Sequence, residues 1–219
     1  MPCPYKNCRE NYIDMKYNPD THRRRSIRLR NYDYSQAGAY FVTICTQHRE
    51  CLFGEITDGI MRLNAAGNIV VDQWMKTGDI RKEIELDVCT VMPNHFHGIA
   101  VLTDSKRTAL HGKGTARRAP TAERFGKPVS GSIPTIVRAF KSAVTKHINI
   151  LRGIPGMKLW QRNYWEHIIR NETELHRIRE YISNNPARWQ EDALHPDQGP
   201  FPGEVHGSSP PYGHEVWVV

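Results

Sequence analysis

His95-Phe96-His97 places two imidazoles at positions i and i+2. On a strand such residues project from one face, so the two rings could grip one divalent metal ion. The spacing alone is a weak signal. With 11 histidines in 219 residues, about half a His-x-His pair is expected by chance. Two partly buried histidines bonded to backbone are the competing reading. The apolar setting favours a site, because desolvated polar rings need partners. Tyr181 and Asn185 stand four apart and so share one face of a helix. A phenol oxygen there could attack an electrophile while the amide oxygen completes a metal site. An ordinary tyrosine, with a pKa of about 10, is a poor nucleophile at pH 7. A nearby cation would stabilise its phenolate and polarise the electrophile. A packed amphipathic Tyr followed by a C-capping Asn gives the same pattern.

Trp160-Gln161-Arg162-Asn163-Tyr164-Trp165-Glu166-His167 is a third candidate. Aromatics beside Arg162 suit stacking on unpaired bases, and core aromatics on a strand fit equally well. Tyr164 is a rival nucleophile, ranked below Tyr181 because packing between two tryptophans explains it. Glu166 and His167 are acid/base or ligand material. Cys3, Cys8 and His22 could bind a metal, but the second thiolate pair of a structural zinc site is missing. Five cysteines without Cys-x-x-Cys spacing point to reduced thiols rather than a disulfide framework.

Several elements must position these residues. Ala39–Thr46 is β-branched and aromatic, as strands are. Residues 51–63 form two short runs about the Asp58-Gly59 turn signal. Asn64 caps a helix through Thr77 with Ile69, Val70, Trp74 and Met75 on its apolar stripe. Glu85–Val91 and His95–Leu102 read as neighbouring strands joined by Met92-Pro93-Asn94. The second is apolar on both faces, as in a strand covered twice. Ser132 caps a helix that buries Ile133, Ile136, Val137, Phe140, Val144 and Ile148. Leu159–Ile169 reads as a strand. Asn171 and Glu174 resemble a capping box for a helix burying Leu175, Ile178 and Ile182, which Pro186 ends near Asn185. The order predicts an α+β fold, a mostly antiparallel sheet with helices packed on it. It spans 36–189, between a basic extension, 1–35, and an irregular tail, 190–219. Residues 103–131 read as a mobile basic loop.

Composition fits one globular domain with extensions: 39% hydrophobic and 24% charged residues exclude a wholly disordered chain. No apolar run is long enough for a membrane span. The start Met1-Pro2-Cys3-Pro4 lacks the apolar core of a signal peptide, so a cytoplasmic location is expected. The net charge of +7 is clustered. Thr21–Arg30 holds five arginines and no acid, and Thr103–Arg152 holds 11 Lys or Arg against Asp104 and Glu123. Beyond Gln190 there are five acids and no Lys or Arg. Clustered positive charge is what a polyanion partner requires. Arg23, Arg24 and Arg25, then Arg138, Lys141, Lys146 and Arg162, are the candidate contacts to such a polyanion.

Val91-Met92-Pro93-Asn94-His95-Phe96-His97, the Trp160–His167 run and Tyr181-Ile182-Ser183-Asn184-Asn185-Pro186 occur in an order that closely resembles the HUH single-tyrosine transposases. Within them the chain is most similar to the REP-associated tyrosine transposase group, over about Ala37 to Arg188. The resemblance implies a ferredoxin-like sheet and a divalent metal, Mg²⁺ or Mn²⁺. It also implies cleavage and joining of single-stranded DNA at or near hairpins, repetitive extragenic palindromes among them, by a monomer or homodimer. His95 and His97 match the metal ligands, with Phe96 as the hydrophobe between them. Asn185 matches the third ligand and Tyr181 the nucleophile, which would form a 5′-phosphotyrosine link. The first 35 residues, the basic loop and the tail have no counterpart in the family pattern. Rival readings are an HUH replication initiator or relaxase, a metal-dependent hydrolase acting through water, and a non-catalytic basic nucleic-acid-binding module.

Overall fold

The computed structural model of the chain describes residues 32–103 and 129–198. Arg23, Arg24 and Arg25, most of the basic loop and the tail beyond 198 lie outside them. The elements in order are β1 (Gly38–Cys45), β2 (Gly54–Thr57), β3 (Ile60–Leu63), α1 (Ala65–Ile80), β4 (Ile84–Val91), β5 (His95–Leu102), α2 (Ile133–Arg152), β6 (Trp165–Ile169) and α3 (Glu172–Asn184). The sheet order is β4-β5-β1-β6, with every pairing antiparallel. With the β2–β3 hairpin set aside, the path is strand, helix, strand, strand, helix, strand. That is the ferredoxin-like arrangement that the family resemblance implies.

Local chemistry explains most boundaries. Asp58 and Gly59 both take positive φ, 53° and 72°, as a two-residue hairpin turn demands. Asn64 Oδ1 accepts from the N–H groups of Ala66 and Gly67, capping α1. Ser132 occupies the N-cap of α2, but its hydroxyl donates to Val129 O, 2.6 Å away, and makes no cap bond. Asn171 caps α3 by accepting from Glu174 N. The returning bond of a capping box is shifted: the Glu174 carboxylate accepts from Arg170 N. The strand predicted over 159–169 is shorter than expected. Trp160 makes one bridge to Thr46, and regular pairing starts only at Trp165.

The sheet is covered on both faces. Alternate residues of β1 and β5 (Tyr40, Val42, Ile44, Phe96, Ala100) meet α1 and α2 in the larger core, with Trp74, Val137 and Phe140. The other set, Phe41 and Ile99, meets Ile178 and Ile182 of α3. The period-2 alternation of side chains assigns each set to its face. It also aims His95 and His97, in step with Ile99, toward α3. Among the described residues no helix is long and apolar enough to cross a membrane.

Candidate active site

His95 and His97 open the central strand β5 and are both wholly buried. Their Nε2 atoms are 3.0 Å apart. The surrounding hydrogen bonds fix one tautomer. Asn94 Nδ2 donates to Leu194 O at 2.8 Å and to Arg49 O at 3.2 Å, which turns Asn94 Oδ1 toward His95 Nδ1 at 2.7 Å. Because an amide oxygen only accepts, His95 Nδ1 carries the proton and His95 Nε2 presents a lone pair. His97 Nδ1 lies 2.8 Å from the Thr43 hydroxyl, which can donate or accept. With the hydroxyl donating, His97 Nε2–H bonds His95 Nε2. With it accepting, both Nε2 lone pairs face one point, an arrangement that only a cation stabilises. Burial holds both imidazoles neutral. It pulls His95 down to about 3, and it pulls His97 well below the ordinary histidine value; the repulsion two protonated rings would feel adds to the effect on His97, and Asp192 opposes it.

The helix α3 brings Tyr181 to this pair. Its hydroxyl is 3.4 Å from His97 Nε2, and its ring meets Phe41 edge-on, with centroids 6.1 Å apart. Asn185, one turn on, is buried as the C-cap of α3. Its Nδ2 donates to Asp192 Oδ2 at 3.0 Å, and its Oδ1 has no hydrogen-bond partner among the described residues. Asp192, held by Leu194 N at 2.6 Å, sits 3.8 Å from His95 Nε2. The ligand atoms of His95, His97 and Asp192 all lie within 4.8 Å of one another.

These groups fit a divalent cation. Two nitrogens 3.0 Å apart match adjacent corners of an octahedron with bonds of about 2.1 Å. A buried amide oxygen without a partner costs about 1–3 kcal/mol, and a cation would satisfy Asn185 Oδ1. The donor atoms of two imidazoles and a carboxylate within one small cluster can hold a divalent metal ion.

The other sequence candidates lie elsewhere. Tyr164 packs against the α1/α2 core, on the face of the sheet away from the histidines. His167 bonds Glu174 at 2.7 Å and stacks on Trp165. Glu166 pairs with Val42 in the sheet register. Arg138, Lys146 and Arg162 are exposed. Lys141 is not on an exposed face: its ammonium donates to the carbonyls of Gln161, Arg162 and Asn163 at 2.7, 3.2 and 3.4 Å. The three described cysteines, Cys45, Cys51 and Cys89, are thiols. Sequence reasoning missed Asp192, which falls in the stretch read as tail. Its one available signal was an acid soon after the Asn185-Pro186 helix stop, among five acids with no periodicity to rank them. Residues 186–191 form a 3₁₀ turn, and the chain then folds Asp192, Leu194 and His195 into buried positions beside His95.

No protein-family model matches the chain. A Haemophilus influenzae protein provisionally named a REP-associated tyrosine transposase is 25% identical over 156 residues, 71% of this chain and 74% of its own length. A solved structure of a REP-associated tyrosine transposase bound to a REP hairpin has a TM-score of 0.48 at 19% identity, covering 80% of this chain and 81% of that one. The resemblance to the REP-associated tyrosine transposases is borne out. An uncharacterised Haemophilus influenzae protein is 40% identical over 182 residues, 83% of this chain and 98% of its own length. This chain belongs to the same family as that protein.

Proposed function

We propose that the protein is a single-stranded DNA transposase that cuts and rejoins DNA at or near REP-type hairpins through a tyrosine–DNA intermediate. The observation that carries this reading is the convergence of three groups from two elements. The Tyr181 hydroxyl of α3 stands 3.4 Å from His97 Nε2, and His97 Nε2 stands 3.0 Å from His95 Nε2. The name of the 25%-identical relative supports the same chemistry.

His95, His97, Asn185 and Asp192 would hold a divalent ion, Mg²⁺ or Mn²⁺. When bound, that ion supplies positive charge that favours the phenolate of Tyr181 and draws electron density from the scissile phosphate. Tyr181 Oη attacks phosphorus, forming a phosphotyrosine ester as the P–O3′ bond breaks, and the departing 3′ oxygen takes a proton. The ester conserves the bond energy, so a second 3′-hydroxyl can displace Tyr181 and join strands without a nucleotide cofactor. Phe41 packs edge-on against the tyrosine ring. The Arg179 guanidinium grips Asp87 Oδ2 of β4 at 2.7 and 2.9 Å, anchoring α3 to the sheet so that the phenol keeps its place. The test is incubation of the protein with single-stranded hairpin DNA and Mn²⁺, followed by a denaturing gel. Wild type and Tyr164→Phe give a covalent adduct, whereas Tyr181→Phe binds DNA and gives none. Cleavage that survives Tyr181→Phe would refute the reading in favour of attack by water.

A further inference from the structure

One groove of the molecule is separate from the histidine site. It has a volume of about 570 Å³ and runs between the second half of α2 and the stretch Gly156–Arg162. Its lining includes Lys141, Lys146, Lys158 and Arg162 and, among the described residues, no carboxylate. Lys146, Lys158 and Arg162 are exposed, so their charges are open to a ligand. The wall that carries Arg162 is held in place. Lys141 binds three successive carbonyls behind it, and Gln161 N donates to Cys45 O at 3.0 Å. Asn149 Nδ2 holds the other end of the stretch by donating to Met157 O at 2.9 Å.

The groove wall is tied to the strand end beside the histidines. Cys45, bonded to the wall, is the register partner of His95 across β1 and β5. Three residues beyond Arg162, Trp165 turns onto the α3 face. There it packs on Phe41 with centroids 5.4 Å apart, the same ring that Tyr181 meets. Arg162 therefore lies three residues from a ring that shares Phe41 with Tyr181. A track with a fixed wall, three exposed cations and no acid fits a flexible phosphodiester chain.

We propose that this groove carries the single-stranded DNA adjoining the scissile phosphate, with Lys146, Lys158 and Arg162 on its phosphates. The inference rests on the transposase reading for the identity of the strand. The experiment uses the full chain in chelator and a fluorescein-labelled DNA hairpin with a single-stranded tail, followed by anisotropy over a range of salt. Each phosphate contact on a single strand contributes about 0.7 to the slope of log K against log salt. Lys146→Gln, Lys158→Gln and Arg162→Gln together should lower the slope by about 2, which is about 100-fold in affinity at 0.1 M salt if the curves converge at 1 M. Lys76→Gln, Lys82→Gln and Arg62→Gln, three exposed charges elsewhere, should leave the slope unchanged. An unchanged slope in the groove variant overturns the proposal. So does an equal loss on a tailless hairpin, or a loss confined to RNA. Adduct formation is scored separately. A slope loss with no adduct retains the groove and removes the transposase reading, and an adduct with unchanged slope does the reverse.

Discussion

Asp192→Asn separates a metal-binding role for Asp192 from a purely structural one. The carboxylate is buried, 3.8 Å from His95 Nε2, and accepts from Asn185 Nδ2 and Leu194 N. In metal-free protein the substitution removes a desolvated charge, which is favourable, and weakens charge-assisted hydrogen bonds, which is not. Each effect is about 1–3 kcal/mol, so they largely offset. With metal they do not, because the variant has lost a negative donor beside the cation. Weakening a supporting group of a metal site costs about 10–100-fold in affinity, or about 1.4–2.7 kcal/mol of the stability that saturating metal adds. For a chain of this size each kcal/mol moves the melting midpoint by about 2–4 °C. The Mn²⁺-induced rise in Tm should therefore shrink by about 3–10 °C, while the Tm in chelator moves less. Melting curves of both proteins with Mn²⁺ and with chelator give the comparison. An identical Mn²⁺-induced rise in wild type and variant would refute the assignment of Asp192 to the cation.

Gly98 lies between the site and the larger core. A Cβ there would come within 2.8 Å of Phe96 Cζ and 2.9 Å of Trp74 Cζ2, so Gly98→Ala should destabilise by about 1–3 kcal/mol in denaturant unfolding. Glu174 predicts an acid limb. Burial alone would raise its carboxyl, but the N–H of Arg170 and the ring of His167 together hold it below the usual glutamate value. A depressed folded value means that the unfolded chain binds the extra proton. The stabilisation is therefore full above the unfolded value of about 4.3 and is lost as pH falls through the folded one. Glu174→Gln should flatten the fall in stability below about pH 4.3 and lower stability at neutral pH; an unchanged acid limb would show that the carboxylate is not responsible.

Strong local signals made most of the fold legible in the sequence. The β-branched and aromatic run of β1, the apolar run of β5, the apolar stripe of α2, Asp58-Gly59 and Asn64 each act within a few residues, and the structure keeps them all. Of the site, the strand period placed His95 and His97 together, and the helix period aligned Tyr181 with Asn185. Long-range chain return was not legible. Asp192 reaches the histidines only because the chain turns back after Pro186, and no periodic pattern encodes that path. Lys141 was misplaced for a related reason. Its position on α2 is polar by pattern, but the Gln161–Asn163 loop covers it and accepts its hydrogen bonds. The strand predicted from residue 159 begins late, since Gly156–Arg162 forms the groove wall and meets the sheet through the Trp160 bridge and the Gln161–Cys45 bond.

The central claim is that the Tyr181 oxygen becomes the atom bonded to DNA. Mass spectrometry of the trapped adduct, digested with nuclease and protease, reads that bond directly. The account predicts a nucleotide mass on the peptide containing Tyr181, abolished by His95→Ala. A nucleotide on Tyr164, or cleaved DNA with no modified peptide at all, would contradict it.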